Sequence, residues 1–480
     1  MKNPNTPIYN YIKEYAGQDI NVFHMPGHKL SKGIPPEFQE NLLQLDVTEV
    51  EGTDNLHFPE GIIKEAQEQA AKAFGADKTF FLVNGSTCGI QAAIMSVCAR
   101  GQKIILGRDS HKAAVSGLIL AGAAPAFIYP EYNEEFGISE TVTPEGMEEC
   151  LRSNPDAAAV LITRPNYYGI CGHIEEICKI VHAHNKILIV DEAHGAHLAF
   201  NKRLPQTALE HGADICIQSA HKTLPAVTQG AYLHVKSGRV DINRLKSNLA
   251  MLQTSSPSYI IMSYLDIARE IMAIEGKERL DTLLEDLSWF QEELEKYGVY
   301  KVLTNNNLGI KAVHDSTRLV INLDGLGISG YQAEKLLRER FNTQVEMADN
   351  RNLVLITTIA DNRQSFSRLL ESLKSLACVE DIKAAYSKAD NFKYTADNKC
   401  ELQGILPCDA YSMQKETVLL SAAANRICAG TITPYPPGIP ILYPGEIIGE
   451  RQIAYIRAII ESGGRVNGIV DNKSIQVVLQ

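Results

Sequence analysis

Between residues 78 and 235 short apolar runs alternate with amphipathic stretches, and this alternation leaves the chain few folds to choose from. KTFFLVN, KIILG, PAFIYP, AAAVLIT, KILIVD, ADICIQS and QGAYLHV are rich in Val, Ile and Phe, while STCGIQAAIMSVCAR, HKAAVSGLILAGA and HIEEICKIVHAHN have helical spacing. Strands that are apolar throughout, interleaved with helices, predict an α/β sheet, mostly parallel and covered on both faces. Ligands on such sheets bind beyond the carboxyl ends of the strands. Those ends carry NGST, GRDSH, TRPNYYG, DEAHGAH and SAHK, so five polar turns are expected along one edge.

Ahead of this region, residues 1–75 contain FHMPGHKL and DVTEVEGTDNLHFPEG and are too broken by Pro and Gly to make a compact domain. A polar helical stretch covers roughly residues 257–300, after which STRLVINLD, SGYQAEKLLRERF, TQVEMAD, NLVLITTIAD and SFSRLLESLKSLA alternate strand and helix again. The expected division is an N-terminal arm (1–75), a large domain (76–300) and a smaller C-terminal α/β domain (301–480). Residues 380–430 read as mainly polar or helical, and TITPYPPGIPILYPGE as a proline-rich turn segment.

A chain of 480 residues, 45% hydrophobic and 21% charged, can bury the cores that such a division needs. Its formal charge of −11 argues against a nucleic-acid partner. With no apolar run of membrane-spanning length and no apolar stretch behind a basic start, a cytoplasmic protein without a membrane partner is expected. Ten cysteines without a CxxC pair suggest reduced thiols.

The segment IQSAHKTLPAVTQGAYLH places Lys222 at the end of a buried strand, where an ammonium is costly unless it is paired, neutralised or covalently used. Two readings of nearby residues fail. DEAH imitates a nucleotide-driven helicase motif, but the phosphate loop GxxxxGK[ST] is absent. Asp191, His194 and His197 do not share a strand face, and Pro26-Gly27 keeps His24 and His28 from lying one helical turn apart, so no metal site is expected.

Pyridoxal phosphate uses all five edges. It needs a lysine for its aldehyde, an acid to keep its pyridine nitrogen protonated and donors for its phosphate. Lys222 and Asp191 supply the first two. The backbone near Gly85 with the Ser86 and Thr87 hydroxyls forms an anion site at a helix start, to which Ser219 and His221 can add donors. His111 could stack on the ring. Taken singly, Ser86 reads as a helix cap, Asp191 as a turn residue and His111 as a half-buried surface histidine.

In FHMPGHK, NLHFPEGI, FFLVNGST, SHK, VDEAHGAH, SAHKTLPAVTQGAYLH, LQTSSPSYIIMSYLD and PYPPGIPILYPGE, taken in order, the chain resembles the bacterial ornithine/lysine/arginine decarboxylases and their shorter biosynthetic arginine branch. The resemblance implies the aspartate-aminotransferase-like fold (fold type I) with a seven-stranded sheet, and α-decarboxylation of a basic amino acid, first arginine to agmatine, then lysine or ornithine. It implies Lys222 as the Schiff-base lysine, Asp191 as the pyridinium partner, His111 as the stacking residue, Ser86, Thr87, Ser219 and His221 as phosphate contacts, and His194 near the reacting carbon. Where many relatives have NPTYxG this chain has RPNYYG, leaving Asn166 as the candidate partner of the ring's phenolic oxygen. His221, His194 or Lys222 could return the proton to carbon. For the substrate's distal cation the candidates are Glu346, Asp54 and Asp409. Enzymes of this fold usually complete each site with a second subunit, so at least a homodimer is expected, with the arm and SSPSY as contributors. An aminotransferase, with Arg426 gripping the α-carboxylate, is the enzyme alternative; a binding protein that has lost the chemistry is the other.

Overall fold

The apolar runs become strands whose side chains alternate between two cores. In this computed structural model, residues 6–40, 42–309, 312–379, 404–435 and 438–479 are described. Strands β1 (Lys78–Leu82), β2 (Lys103–Gly107), β3 (Ala124–Ile128), β4 (Ala159–Thr163), β5 (Ile187–Asp191), β6 (Ile215–Gln218) and β7 (Ala231–Val235) form a seven-stranded sheet in the order β1-β7-β6-β5-β4-β2-β3. Only β7 is antiparallel to its neighbours. Ile105, Val160, Leu188, Val190 and Cys216 enter one core, and Ile104, Leu106, Leu161, Ile189 and Ile217 the other. Both faces are therefore dry, as apolar strands with period-two side chains require. The mostly parallel doubly covered sheet expected from the sequence is the one that forms.

Helix Tyr259–Glu295 leads to a four-stranded antiparallel sheet of β8 (Lys301–Val302), β9 (Arg318–Asn322), β10 (Met347–Ala348) and β11 (Asn352–Ile356) in the order β8-β9-β11-β10. The arm joins it. Its short strand Asn21–Phe23 runs parallel to Thr343–Val345, and the buried Lys29 donates to the carbonyls of His24 (3.0 Å) and Ile356 (2.7 Å). Asp361 lies 4.0 Å from the same ammonium.

From residue 404 a separate unit has its own core around Leu420, Ile432, Leu442, Ile456 and Ile475. Here part of the expectation for residues 380–430 is corrected: Lys415–Leu419 is a strand, β12, paired with β14 (Ser474–Val478), beside β13 (Ile469–Val470). KETVL looks polar because only alternate residues are covered, and its partner lies far along the chain. Residues 380–403 are outside the described residues. Arg108, just past β2 and fully buried, ties this unit to the large sheet. Its guanidinium donates to the carbonyls of Pro440 (2.8 Å) and Ile441 (2.7 Å), faces Glu446 at 3.4 Å and lies 4.5 Å over the Tyr443 ring.

Candidate active site

The carboxyl ends of β1, β2, β4, β5 and β6 open into one cleft of about 410 Å³. Lys222, in the short helix Ala220–Thr223 after β6, places its Nζ 3.1 Å from Nε2 of His194. Burial pulls its pKa down, while Asp191 and Glu346 pull it back up. Asp191, the last residue of β5, stands in register between Thr163 of β4 and Ile217 of β6. Burial raises its carboxyl pKa, and Lys222 and the Ala193 N–H (3.1 Å) oppose that rise. Amine and acid thus face each other in one cleft, with Asp191 buried and Lys222 half-buried.

Helix Gly85–Val97 starts at this edge. Gly85 has φ +74°, a left-handed conformation that a side chain would strain, and this turn presents Ser86 and Thr87 to the cleft. Ser219 donates from its hydroxyl to that of Ser86 at 2.7 Å, joining two strand ends at a helix N-terminus. His111 caps helix Lys112–Ala121 by accepting from the Ala113 N–H at 3.2 Å. Burial, with help from Lys222, drops its pKa to about 3, so the ring is neutral.

Several expectations are corrected. Asn166 does not line the cleft: its amide donates to the carbonyls of Ser139 (2.9 Å) and Glu140 (2.7 Å), and its oxygen accepts from the N–H groups of Tyr168 and Ile170, both 3.0 Å, so its capacity is spent on its own turn. Thr163 lines the cleft instead, its buried hydroxyl without a partner. Asp54 is occupied with its own loop, accepting from the N–H groups of Asn55, Glu60, Gly61 and Ile63. Asp409 pairs with Arg100 at the surface at 3.1 Å. Neither reaches the cleft of this chain. Arg426 is bonded to Glu416 and to the Val478 carbonyl, far from the α-carboxylate role. His221 lines the cleft, but its Nδ1–H is committed to the Gly230 carbonyl at 3.0 Å. Burial brings its pKa to about 4, so its free Nε2 carries a lone pair and is an acceptor, not the phosphate donor expected.

Glu346 does reach the cleft. Its Oε2 accepts from the Met25 N–H at 2.9 Å and its Oε1 from the Tyr167 hydroxyl at 2.6 Å. Sequence reasoning missed Asp109, Thr163, Tyr167, Tyr435 and Arg318. The first four line the cleft, and Arg318 stands behind His194, 2.9 Å from its Nδ1. Arg318 had a signal, a charge opening the apolar strand RLVIN, the same anomaly that singled out Lys222. Among the described residues no three His, Cys, Asp or Glu side chains converge as a metal site.

A reactive amine, a buried acid, clustered hydroxyls at a helix start and an orphaned threonine hydroxyl fit pyridoxal phosphate. The family model for the major domain of Orn/Lys/Arg decarboxylases matches residues 6–318, and that for their C-terminal domain matches 404–472. The arginine decarboxylase of Bacillus subtilis (strain 168) is 38% identical over 482 residues, covering 98% of this chain and 97% of that protein. Among solved structures, the lysine decarboxylase LdcF of Francisella novicida superposes with a TM-score of 0.78 at 20% identity, covering 98% of this chain and 81% of that one. A structure of SPT with a PLP internal aldimine shares the fold at a TM-score of 0.58 and 14% identity, over 75% of this chain and 87% of that one. By fold, and by sequence likeness along nearly its whole length, the chain belongs to the Orn/Lys/Arg decarboxylase family.

Proposed function

We propose that the protein is a pyridoxal phosphate-dependent decarboxylase of basic amino acids whose substrate is L-arginine, giving agmatine and carbon dioxide. The observation that carries this is Lys222. It is half-buried, its hydrogen-bond partner is a histidine rather than a carboxylate, and it faces Asp191 across the cleft. An amine without an ion-pair partner and with a depressed pKa is what carbonyl chemistry uses.

Bound there, the cofactor supplies an electron sink for the bonds at the substrate's α-carbon. Lys222 would hold its aldehyde, and Asp191 would keep a proton on the ring nitrogen. The hydroxyls of Ser86, Thr87 and Ser219 with the N-terminus of helix Gly85–Val97 would hold the phosphate. His111, kept neutral by burial, covers the cleft without adding a charge. Thr163, whose hydroxyl is unpartnered, would be free to donate to the cofactor.

Glu346 serves the distal cation. Each carboxylate oxygen has two acceptor sites and spends one on Met25 or Tyr167, so a planar guanidinium can still be bridged by the others. Arginine is preferred because the Bacillus subtilis relative bears that name and the acid suits a forked donor. The distribution of apolar surface supports at least a homodimer. In the arm Ile8, Tyr9, Leu43, Phe58 and Ile62 are 60% or more exposed, and a second copy completing the site would cover them. Nine described cysteines are free, which supports a cytoplasmic setting, and no described helix is long and apolar enough to cross a membrane.

Carbon dioxide release from arginine, lysine and ornithine in parallel, with identification of the amine, tests the assignment. Agmatine as the dominant product is expected. Consumption of a 2-oxo acid without gas release would convert the reading to an aminotransferase.

A further inference from the structure

Arg318 is the first residue of β9, fully buried, and its Cβ stands where any Cβ on Gly169 would lie, 2.5 Å away. The RPNYYG turn therefore leaves room for this arginine, which extends to Nδ1 of His194 at 2.9 Å. Its Nε and Nη1 have no hydrogen-bond partner, an unusual state for a buried guanidinium. Guanidinium nitrogens donate and never accept, so Nδ1 of His194 must carry the lone pair. The imidazole's single proton is then on Nε2, the atom 3.1 Å from Nζ of Lys222. An N–H aimed at an amine stabilises the neutral amine through its lone pair and opposes the ammonium, which has no lone pair to offer.

We infer that Arg318 is a positioning residue that fixes His194 as the Nε2–H tautomer and thereby keeps the Lys222 amine unprotonated. The inference deepens the proposed function, on which it rests for its purpose. It also removes His194 from the candidates for returning a proton to carbon, because loss of its one proton would leave an imidazolate. His221, neutral with its one proton held by the Gly230 carbonyl, is removed on the same ground, and the task falls to the Lys222 amine, once protonated.

The other groups around the pair act in both directions. Asp191 and Glu346 face Lys222 and favour its charge, while His111 and His221, neutral through burial, add little. Burial lowers the Arg318 pKa, while Asp315, Tyr167 and Glu346 around it oppose that fall, and the Tyr167 ring lies edge-on to His194 with centroids 4.7 Å apart. Burial lowers the His194 pKa well below the ordinary value, with Lys222 and Arg318 adding to it, consistent with a neutral ring.

Competitive labelling of the cofactor-free protein with trace acetic anhydride across pH, read by peptide mass spectrometry, measures the protonation of Lys222 without any turnover. Arg318→Met should move its labelling midpoint up by about one pH unit or more, since His194 can then flip and accept from the ammonium. Arg318→Lys, which keeps a charged donor, should stay near the parent. In a His194→Ala background the effect of Arg318→Met should shrink to the direct charge contribution. An undiminished shift in that background, or a nitrogen-15 spectrum showing His194 protonated on Nδ1, overturns the inference. If the parent protein fails to release carbon dioxide from any basic amino acid while these shifts hold, the proposed function fails and the Arg318 relay stands.

Discussion

Asp191, Thr163 and Ser219 stand at or just past the ends of three neighbouring strands of one sheet, whereas Met25, Glu346 and Tyr435, which line the same cleft, come from three segments dispersed along the chain. Each residue of the sheet wall is placed by a local rule: an apolar run ends, a polar turn follows, and the parallel order brings the turns together. The opposite wall has no such rule. Met25 arrives because Asn21–Phe23 pairs with Thr343–Val345, and Tyr435 because Arg108 holds the Pro440 and Ile441 carbonyls. On the proposed reading, the cofactor chemistry belongs to the first wall and the choice and orientation of a substrate to the second.

If that division is right, substitutions on the sheet wall should remove reaction and those opposite should change preference. Lys222→Ala should reduce turnover to background and abolish the visible absorption band of the cofactor-loaded protein. Any substantial remaining activity would break the scheme at its centre. Asp191→Asn should retain bound cofactor yet lose roughly 10²–10⁴-fold in kcat, the usual scale of a misplaced proton.

Glu446→Ala should cost about 3–5 kcal/mol in denaturant unfolding, because it removes the carboxylate that faces the fully buried Arg108, which holds the C-terminal unit to the sheet. Glu346→Gln should raise KM for arginine roughly ten- to hundredfold, as loss of a charge-assisted contact predicts, while leaving cofactor affinity in place. Weaker cofactor binding with unchanged KM would move Glu346 to the other wall.

The smallest effect concerns pH. His234 is held neutral by burial, with its pKa brought down to about 3. Between its unfolded value of about 6.5 and that folded value, the unfolded chain binds the extra proton. Its contribution to stability is therefore complete above about pH 6.5 and declines as the pH falls toward 3. His234→Gln should make the acid limb of stability shallower by up to about 1.4 kcal/mol per pH unit. An unchanged slope would show that the buried imidazole is not what the acid limb reports.

The sheet wall was readable because its signals are local. Lys222, Asp191 and Ser86 were found from strand ends and a helix start without any pairing information. Asn166 was misjudged for the reason that Thr163 was overlooked. Both are polar residues at the end of the same strand, and only the fold shows that the asparagine's amide is consumed by its own turn while the threonine's hydroxyl is left unbonded in the cleft. Asp54 and Asp409 looked like cation partners because an acid's charge is visible in a sequence and its hydrogen bonds are not.

By itself the sequence determined the doubly covered parallel sheet, the edge where the polar turns gather and the amine and acid that stand there, because hydrophobic period and strand-end polarity act over a few residues. Which distant groups close the cleft, and which proton His194 carries, depended on contacts between segments more than a hundred positions apart. Such contacts are set by packing, and no local pattern of residues encodes them.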